Sequence, residues 1–177
     1  MSRSKLSFLL LVATVIVSGA GFCLLQAGTF RTGQVTFDPP YPETNASGNN
    51  ILAVFAGRTP CAFPNCKMMK LLLVLYQDRK TNAPTTYWLG YIGVGDGNNE
   101  RTVRQGKLKV HHGVKEYPDA TVYELDSSAD PDLRLYWRVN EDILLPLDES
   151  LSPKVGNGAW GYMLARDTKP YGPRTYE

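Results

Sequence analysis

From Ile51 onward the chain is a succession of short apolar or alternating segments, each separated from the next by turn residues. The segments are rich in aliphatic and aromatic residues and are bounded by Gly, Pro, Asn and Asp, a pattern typical of β-strands. About seven or eight strands at this spacing predict an all-β sandwich or barrel. We expect an antiparallel meander that closes into a small barrel, because closure removes exposed strand edges. The expected strands are ILAVFAGR, KMMKLLLVLYQD, TTYWLGYIGV, RTVRQGKLKVHHG, ATVYELDS, DLRLYWRVN, DILLPLD and AWGYMLARD.

One of these segments, DLRLYWRVN, alternates with a clean period of two. Successive side chains of a strand point to opposite faces. The pattern therefore predicts one face in the core and one in water. The predicted core face carries Leu133, Leu135, Trp137 and Val139, and the predicted solvent face carries Arg134, Tyr136 and Arg138.

The N-terminus has the pattern of a targeting segment. Arg3 and Lys5 precede a long, mostly apolar stretch that carries no further charge before Arg31. A positively charged start followed by an apolar region is typical of a secretory signal. The apolar stretch, about 20 residues long, is also sufficient to span a bilayer as a helix. A cleaved signal peptide and a retained membrane anchor over residues 1–30 both stay open, and either one takes the chain out of the cytosol.

Lipid attachment at Cys23 is a third and less favoured alternative, because the bulky Phe22 stands where a lipoprotein needs a small residue. Cys23 then belongs to the targeting segment, and Cys61 and Cys66 remain as an even pair. Disulfides form and persist outside the cytosol. We therefore favour a Cys61–Cys66 disulfide that closes a short loop.

The alternative use of the two cysteines is a soft-metal site. Thiolate and thioether ligands suit Cu(I), and Met68 and Met69 follow Cys66 closely. The candidate ligands of such a site are Cys61, Cys66, Met68 and Met69. A strand that begins at the two methionines would point them to opposite faces, so at most one of them could join the cysteines.

Other chemistry has weaker support. His111 and His112, the two histidines of the chain, are adjacent, and on a strand they would face opposite ways. No G-x-S-x-G nucleophile motif is present. Four aspartates are expected to form turns, not acid–base pairs. These aspartates are Asp96, Asp126, Asp130 and Asp132. We therefore expect no enzymatic activity and no catalytic residue.

The chain carries 19 basic and 17 acidic residues, so it lacks the excess positive charge of a nucleic-acid-binding surface. Residues 31–50 are rich in Pro, Gly and Asn and are expected to form a linker. The folded domain is predicted to span residues 51–168. The last residues, 169–177, are expected to form a disordered tail.

The predicted barrel region resembles a known family, the N-terminal domain of NlpE, an envelope lipoprotein linked to copper resistance and surface sensing. The resemblance covers residues 52–167 and begins with a Gly, a Pro-Cys pair, a nearby second Cys and an apolar strand. The matching positions are Gly57, Pro60, Cys61, Cys66, Leu71–Leu75, Gly106–Gly113, Leu144, Leu147 and Asp148. The family usually spaces its cysteines two apart, whereas four residues separate them here.

The resemblance implies a small lipocalin-like β-barrel without catalytic activity and a role in envelope or copper stress. We therefore expect a non-enzymatic bacterial envelope protein, membrane-anchored or periplasmic, that acts as a sensing or interaction module. The expected partners are the membrane, through the N-terminal segment, and a second envelope protein, but not nucleic acid. No cofactor is expected, with copper as the one candidate. The alternative is a barrel that carries copper or a small ligand of unknown identity.

Overall fold

Eight β-strands, joined in the order of the chain, form a closed antiparallel barrel. The computed structural model describes residues 41–61, 66–95 and 101–168. The strands are β1 (Asn50–Pro60), β2 (Met68–Gln77), β3 (Pro84–Val94), β4 (Thr102–Val114), β5 (Tyr117–Leu125), β6 (Leu135–Arg138), β7 (Ile143–Pro146) and β8 (Leu164–Arg166). A 3-10 turn, Pro131–Leu133, precedes β6.

The barrel closes where β8 pairs with the middle of β1. Phe55 lies opposite Arg166, and Ala56 lies opposite Ala165. The remaining neighbours pair in sequence order from β1–β2 to β7–β8. The predicted all-β fold and its closed antiparallel meander are thereby confirmed. The predicted N-terminal apolar helix and the tail 169–177 lie outside the described residues.

Within the described ranges, no helix is long and apolar enough to cross a membrane. The segment 1–30, for which a membrane span was one of the alternatives, is not among those ranges.

Large side chains fill the barrel interior. In β2, alternate residues from Met69 to Leu75 point inward and are fully or almost fully buried. The same strand also buries Val74 and Tyr76 on its outer face. A strand that is covered on both faces has a nearly continuous apolar sequence, as β2 does. The interior cluster consists of Ala53, Phe55, Met69, Leu71, Leu73, Leu75, Tyr87, Leu89, Tyr91, Leu108, Tyr123, Leu125, Ala129, Leu133, Tyr136, Leu144 and Leu164.

The predicted orientation of DLRLYWRVN is wrong within β6, whereas Leu133, in the turn before the strand, is buried in the interior cluster as expected. Tyr136, expected in water, is fully buried inside the barrel opposite Tyr123. Leu135 and Trp137 point outward, where they pack against a second apolar cluster that contains Leu147. The period of two holds over β6, but both faces have apolar surroundings. A prediction that assumes one solvent-exposed face therefore assigns the two faces of β6 in reverse.

Residues 41–50, the second half of the expected linker, pack on the outside of the barrel. Tyr41 is buried and its ring meets Trp88 edge-on, with 5.9 Å between the ring centroids. The Tyr76 hydroxyl donates a hydrogen bond of 2.7 Å to the carbonyl oxygen of Pro42. The Asn45 side chain donates another, also 2.7 Å long, to Thr86 Oγ1. Packing against the barrel therefore extends at least as far as Tyr41, ten residues before the boundary predicted at Ile51; residues 31–40 lie outside the described residues.

Candidate functional site

The cysteine pair lies at one end of the barrel, where β1 ends and β2 begins. Cys61 follows Pro60 directly, and Pro60 pairs with Met68 in the β1–β2 ladder. The Cα atoms of Cys61 and Cys66 are 5.8 Å apart, and their sulfur atoms lie at disulfide-bonding distance. This separation is within the usual range for a disulfide. The ladder therefore holds the two cysteines in a geometry that suits a bridge.

The two methionines of the candidate metal site face opposite ways. Met69 is fully buried in the barrel interior, opposite Thr59. Met68 lies on the outer face, opposite Pro60 and only partly buried. The structure thus brings the two cysteine sulfurs together but does not direct both methionines to the same side. In the described part of the chain, no three His, Cys, Asp or Glu side chains form a group suited to a metal ion.

The two histidines lie next to each other near the end of β4, and both line one surface pocket. His111 Nε2 contacts Glu124 Oε2 on the exposed outer surface of the sheet. His112 lies opposite Thr121 in the β4–β5 ladder.

A cluster of tyrosines and aspartates, not predicted from the sequence, lies where the β5–β6 connection meets β3 and β4. The Tyr87 hydroxyl donates a 3.1 Å hydrogen bond to Asp126 Oδ1, and the Tyr91 hydroxyl donates one to Asp130 Oδ2. Arg104 Nε lies 3.8 Å from the same Asp130 oxygen. Tyr87 and Tyr91 are spaced four residues apart on one strand and so share a face. That spacing was the available signal, but the sequence did not show which loop would meet them.

Asp126 is held by backbone donors. Its carboxylate accepts hydrogen bonds of 2.7 Å from the Lys107 N–H and 3.0 Å from the Ser128 N–H. Gly106 leaves room for this approach, since a Cβ atom there would overlap the Asp126 carboxylate. Partial burial raises the pKa of Asp126, but these donors and the Tyr87 hydroxyl outweigh it and lower the pKa below its usual value. An aspartate held in this way organises a turn, as predicted for Asp126.

The same cluster has the wrong protonation behaviour for acid–base catalysis near neutral pH. Burial, followed by the nearby charge of Asp126, raises the pKa of Tyr87 well above its usual value. Burial also raises the pKa of Tyr91 to about 12, assisted by its hydrogen bond to Asp130. Tyrosines in this range stay protonated, and Asp126 stays ionised. An efficient general acid or base has a pKa close to the working pH.

Several openings of the described barrel surface could hold a ligand, and two of them involve β1 and β2. A groove of about 390 Å³ lies on the outer face of β1, β2 and β3, near the cysteine end. A smaller cavity of about 160 Å³ opens at the other end, where Arg138, Glu141 and Arg166 surround the apolar Phe55 and Leu75. The interior between them is occupied by the buried cluster described above.

The fold defines a closed, eight-stranded, up-and-down β-barrel with a filled interior and a cysteine pair at one end. The chain matches no protein-family model, and no curated protein or solved structure is significantly similar to it.

Proposed function

We propose that this chain is a non-enzymatic protein of the bacterial cell envelope whose NlpE-like, lipocalin-like barrel acts as a sensing or interaction module in envelope or copper stress. The observation that carries the proposal is the position of Cys61 and Cys66, at disulfide-bonding distance where β1 and β2 meet. A disulfide at this position suits an oxidising compartment. The targeting pattern of residues 1–30 and the resemblance over residues 52–167 support the same location.

The filled interior favours an interaction module over a carrier. Eight-stranded barrels can either pack their interior with side chains or enclose one small ligand. Here Tyr87, Tyr123 and Tyr136 belong to the buried interior cluster, together with many aliphatic side chains. Recognition would then use the outer face and the barrel ends.

The cysteine bridge provides the proposed response to the redox state of the envelope. Two electrons and two protons from a dithiol reductant would convert the Cys61–Cys66 bond into two thiols, and an oxidant of the disulfide class would reverse the step. The bridge lies beyond the Pro60–Met68 pair at the end of the β1–β2 ladder. Reduction would therefore loosen the end of this hairpin and leave the buried core intact.

The test compares strains of the native host under copper and thiol-reductant stress. One strain lacks the protein, and others express the wild-type chain, the double variant Cys61→Ser/Cys66→Ser, or the control Val155→Ser at a side chain that is 90% exposed. We expect a weaker envelope-stress response in the strain without the protein and altered redox dependence in the double variant. The control should behave as wild type. Equal responses in all four strains would contradict the proposal.

A further inference from the structure

The groove on the outer face of β1–β3, called the basic groove below, combines an apolar floor with a basic rim. Ala56, Leu72 and Ile92 contribute to its floor. Arg58, Lys70 and Arg101 stand at its rim, and all three are exposed. Its volume of about 390 Å³ is sufficient for part of a small amphipathic molecule.

Two of the basic residues are direct cross-strand neighbours. Arg58 of β1 lies opposite Lys70 of β2 in the ladder. Like charges directly opposite each other on a sheet are destabilising. Two basic side chains elsewhere on the barrel do have acidic partners: Arg104 lies beside Asp130, and Lys154 Nζ is 3.1 Å from Asp132 Oδ1.

The basic residues of the groove have no such compensation in the described ranges. Neither Arg58, Lys70 nor Arg101 forms a side-chain hydrogen bond or an ion pair with any residue that the structure describes. An anion from outside the described residues would relieve this repulsion. The apolar floor favours a ligand that also carries an apolar part, because a bare inorganic anion would gain nothing from contact with the floor.

The groove lies on the face where the described chain begins. Tyr41 packs on Trp88 on the outer face of the same three strands, and Trp88 lies over Gly90, which lines the groove. Residues 31–40 alone separate Tyr41 from the apolar segment 1–30. Ten fully extended residues span at most about 35 Å. A retained anchor would therefore keep the barrel within reach of the bilayer surface.

We propose that the basic groove binds the headgroups of anionic phospholipids and so seats the barrel on the membrane surface. Arg58, Lys70 and Arg101 would contact the phosphate groups, while the floor would contact the apolar part of the lipid just below the headgroup. The proposal relies on the exported location in the proposed function for its encounter with the bilayer. It does not rely on the redox role of the cysteines.

The test measures lysine reactivity in the full chain, so that attachment through the N-terminal segment does not obscure the result. The protein is incorporated into vesicles of phosphatidylcholine alone or of phosphatidylcholine with phosphatidylglycerol, and acylation of each lysine is followed by mass spectrometry. Lys70 is the reporter, and Lys109, exposed on β4 and outside the groove, is the internal control. We expect acylation of Lys70 to slow about fivefold or more on the anionic vesicles, with Lys109 unchanged. High salt should remove the difference.

A charge variant links the effect to the groove. Arg58→Gln/Arg101→Gln should abolish protection of Lys70, whereas the control Arg138→Gln, at the other end of the barrel, should retain it. The double variant should melt no lower than wild type, because it removes the repulsion between Arg58 and Lys70.

Three results would overturn the proposal. Equal protection of Lys70 on neutral and anionic vesicles would show attachment without headgroup recognition. Equal protection by inorganic phosphate alone would show a site for a free anion. Unchanged reactivity on both vesicles would leave the groove for another partner, such as an acidic protein. None of these outcomes bears on the stress-response comparison, so the two proposals can fail separately.

Discussion

The indole ring of Trp88 lies across the backbone of Gly90, in the space that a side chain at position 90 would occupy. Trp88 is nearly fully buried there, between the outer face of the sheet and Tyr41. The glycine thus allows the Trp88 ring to lie flat on the outer face of β1–β3, where Tyr41 packs against it.

Gly90→Ala should displace the Trp88 ring and destabilise the barrel by about 1–3 kcal/mol, the usual cost of overpacking. Urea unfolding followed by tryptophan fluorescence would measure the loss and should also show a red-shifted native spectrum. Gly161→Ala is the matched control, because a Cβ atom there meets nothing within 4 Å. Equal stabilities of the two variants would contradict the packing described for Trp88.

Tyr41→Ala should destabilise the protein by about 2–4 kcal/mol, because it removes a large buried ring that packs against Trp88. The same unfolding measurement applies. Tyr117, which is 56% exposed, supplies the control: Tyr117→Ala should cost less than about 1 kcal/mol. If Tyr41→Ala were as mild as the control, residues 41–49 would be a linker, as the sequence first indicated.

Asp126→Asn should weaken folding in a pH-dependent way. The pKa of Asp126 is lower in the folded protein than its ordinary value of 3.8, so the ionised carboxylate stabilises the fold above that value. This contribution is lost as the pH falls through the folded-state pKa. We expect a cost of about 1–2 kcal/mol at neutral pH, after allowance for partial solvent screening, and a smaller cost in strong acid. Urea unfolding at neutral pH and in strong acid would measure the cost of the substitution under each condition.

The control for Asp126 is Asp119→Asn, at an exposed carboxylate for which the structure shows no hydrogen bond or ion pair among the described residues. The stability of Asp119→Asn should match that of wild type at neutral pH and in strong acid. A pH-independent loss in Asp126→Asn would contradict a role for the charge.

Tyr136→Phe and Tyr87→Phe should differ although both rings are buried in the same core. The Tyr136 hydroxyl is buried without a hydrogen-bond partner among the described residues, so its removal should be neutral or slightly stabilising. The Tyr87 hydroxyl bonds to Asp126, and its removal should cost about 1 kcal/mol. Thermal melts of Tyr136→Phe, Tyr87→Phe and wild type would measure this difference in stability. A loss of more than about 1 kcal/mol in Tyr136→Phe would show that the hydroxyl binds an internal water.

The strand order was predictable because each strand is short, apolar and bounded by turn residues. In a meander the neighbours in sequence are also the neighbours in space. The approach of Cys61 and Cys66 was predictable for a related reason: both flank a tight connection between paired strands. These are local features, and a sequence contains them directly.

The errors concern surfaces whose cover comes from distant parts of the chain. Tyr136 was assigned to water because Trp137 and Leu135 were assigned to the core, but the outer cluster with Leu147 also takes apolar residues. Residues 41–50 have the composition of a linker. Only the fold shows that Tyr41 packs in a cluster with Tyr76 and Trp88. The Tyr87–Asp126 contact likewise depends on where the β5–β6 connection lies in three dimensions.

The central claim is that Cys61 and Cys66 form a disulfide in an exported barrel, and thiol labelling tests it most directly. The full-length protein is purified from its native host without reductant, alkylated before and after reduction, and weighed intact. The same mass also locates the N-terminus and any attached lipid. We predict that both thiols label only after reduction, and that Cys61→Ser lowers stability by about 2 kcal/mol, as expected for closure of so short a loop. Labelling of both cysteines before reduction would contradict the bridge and would make a thiolate metal site the better account.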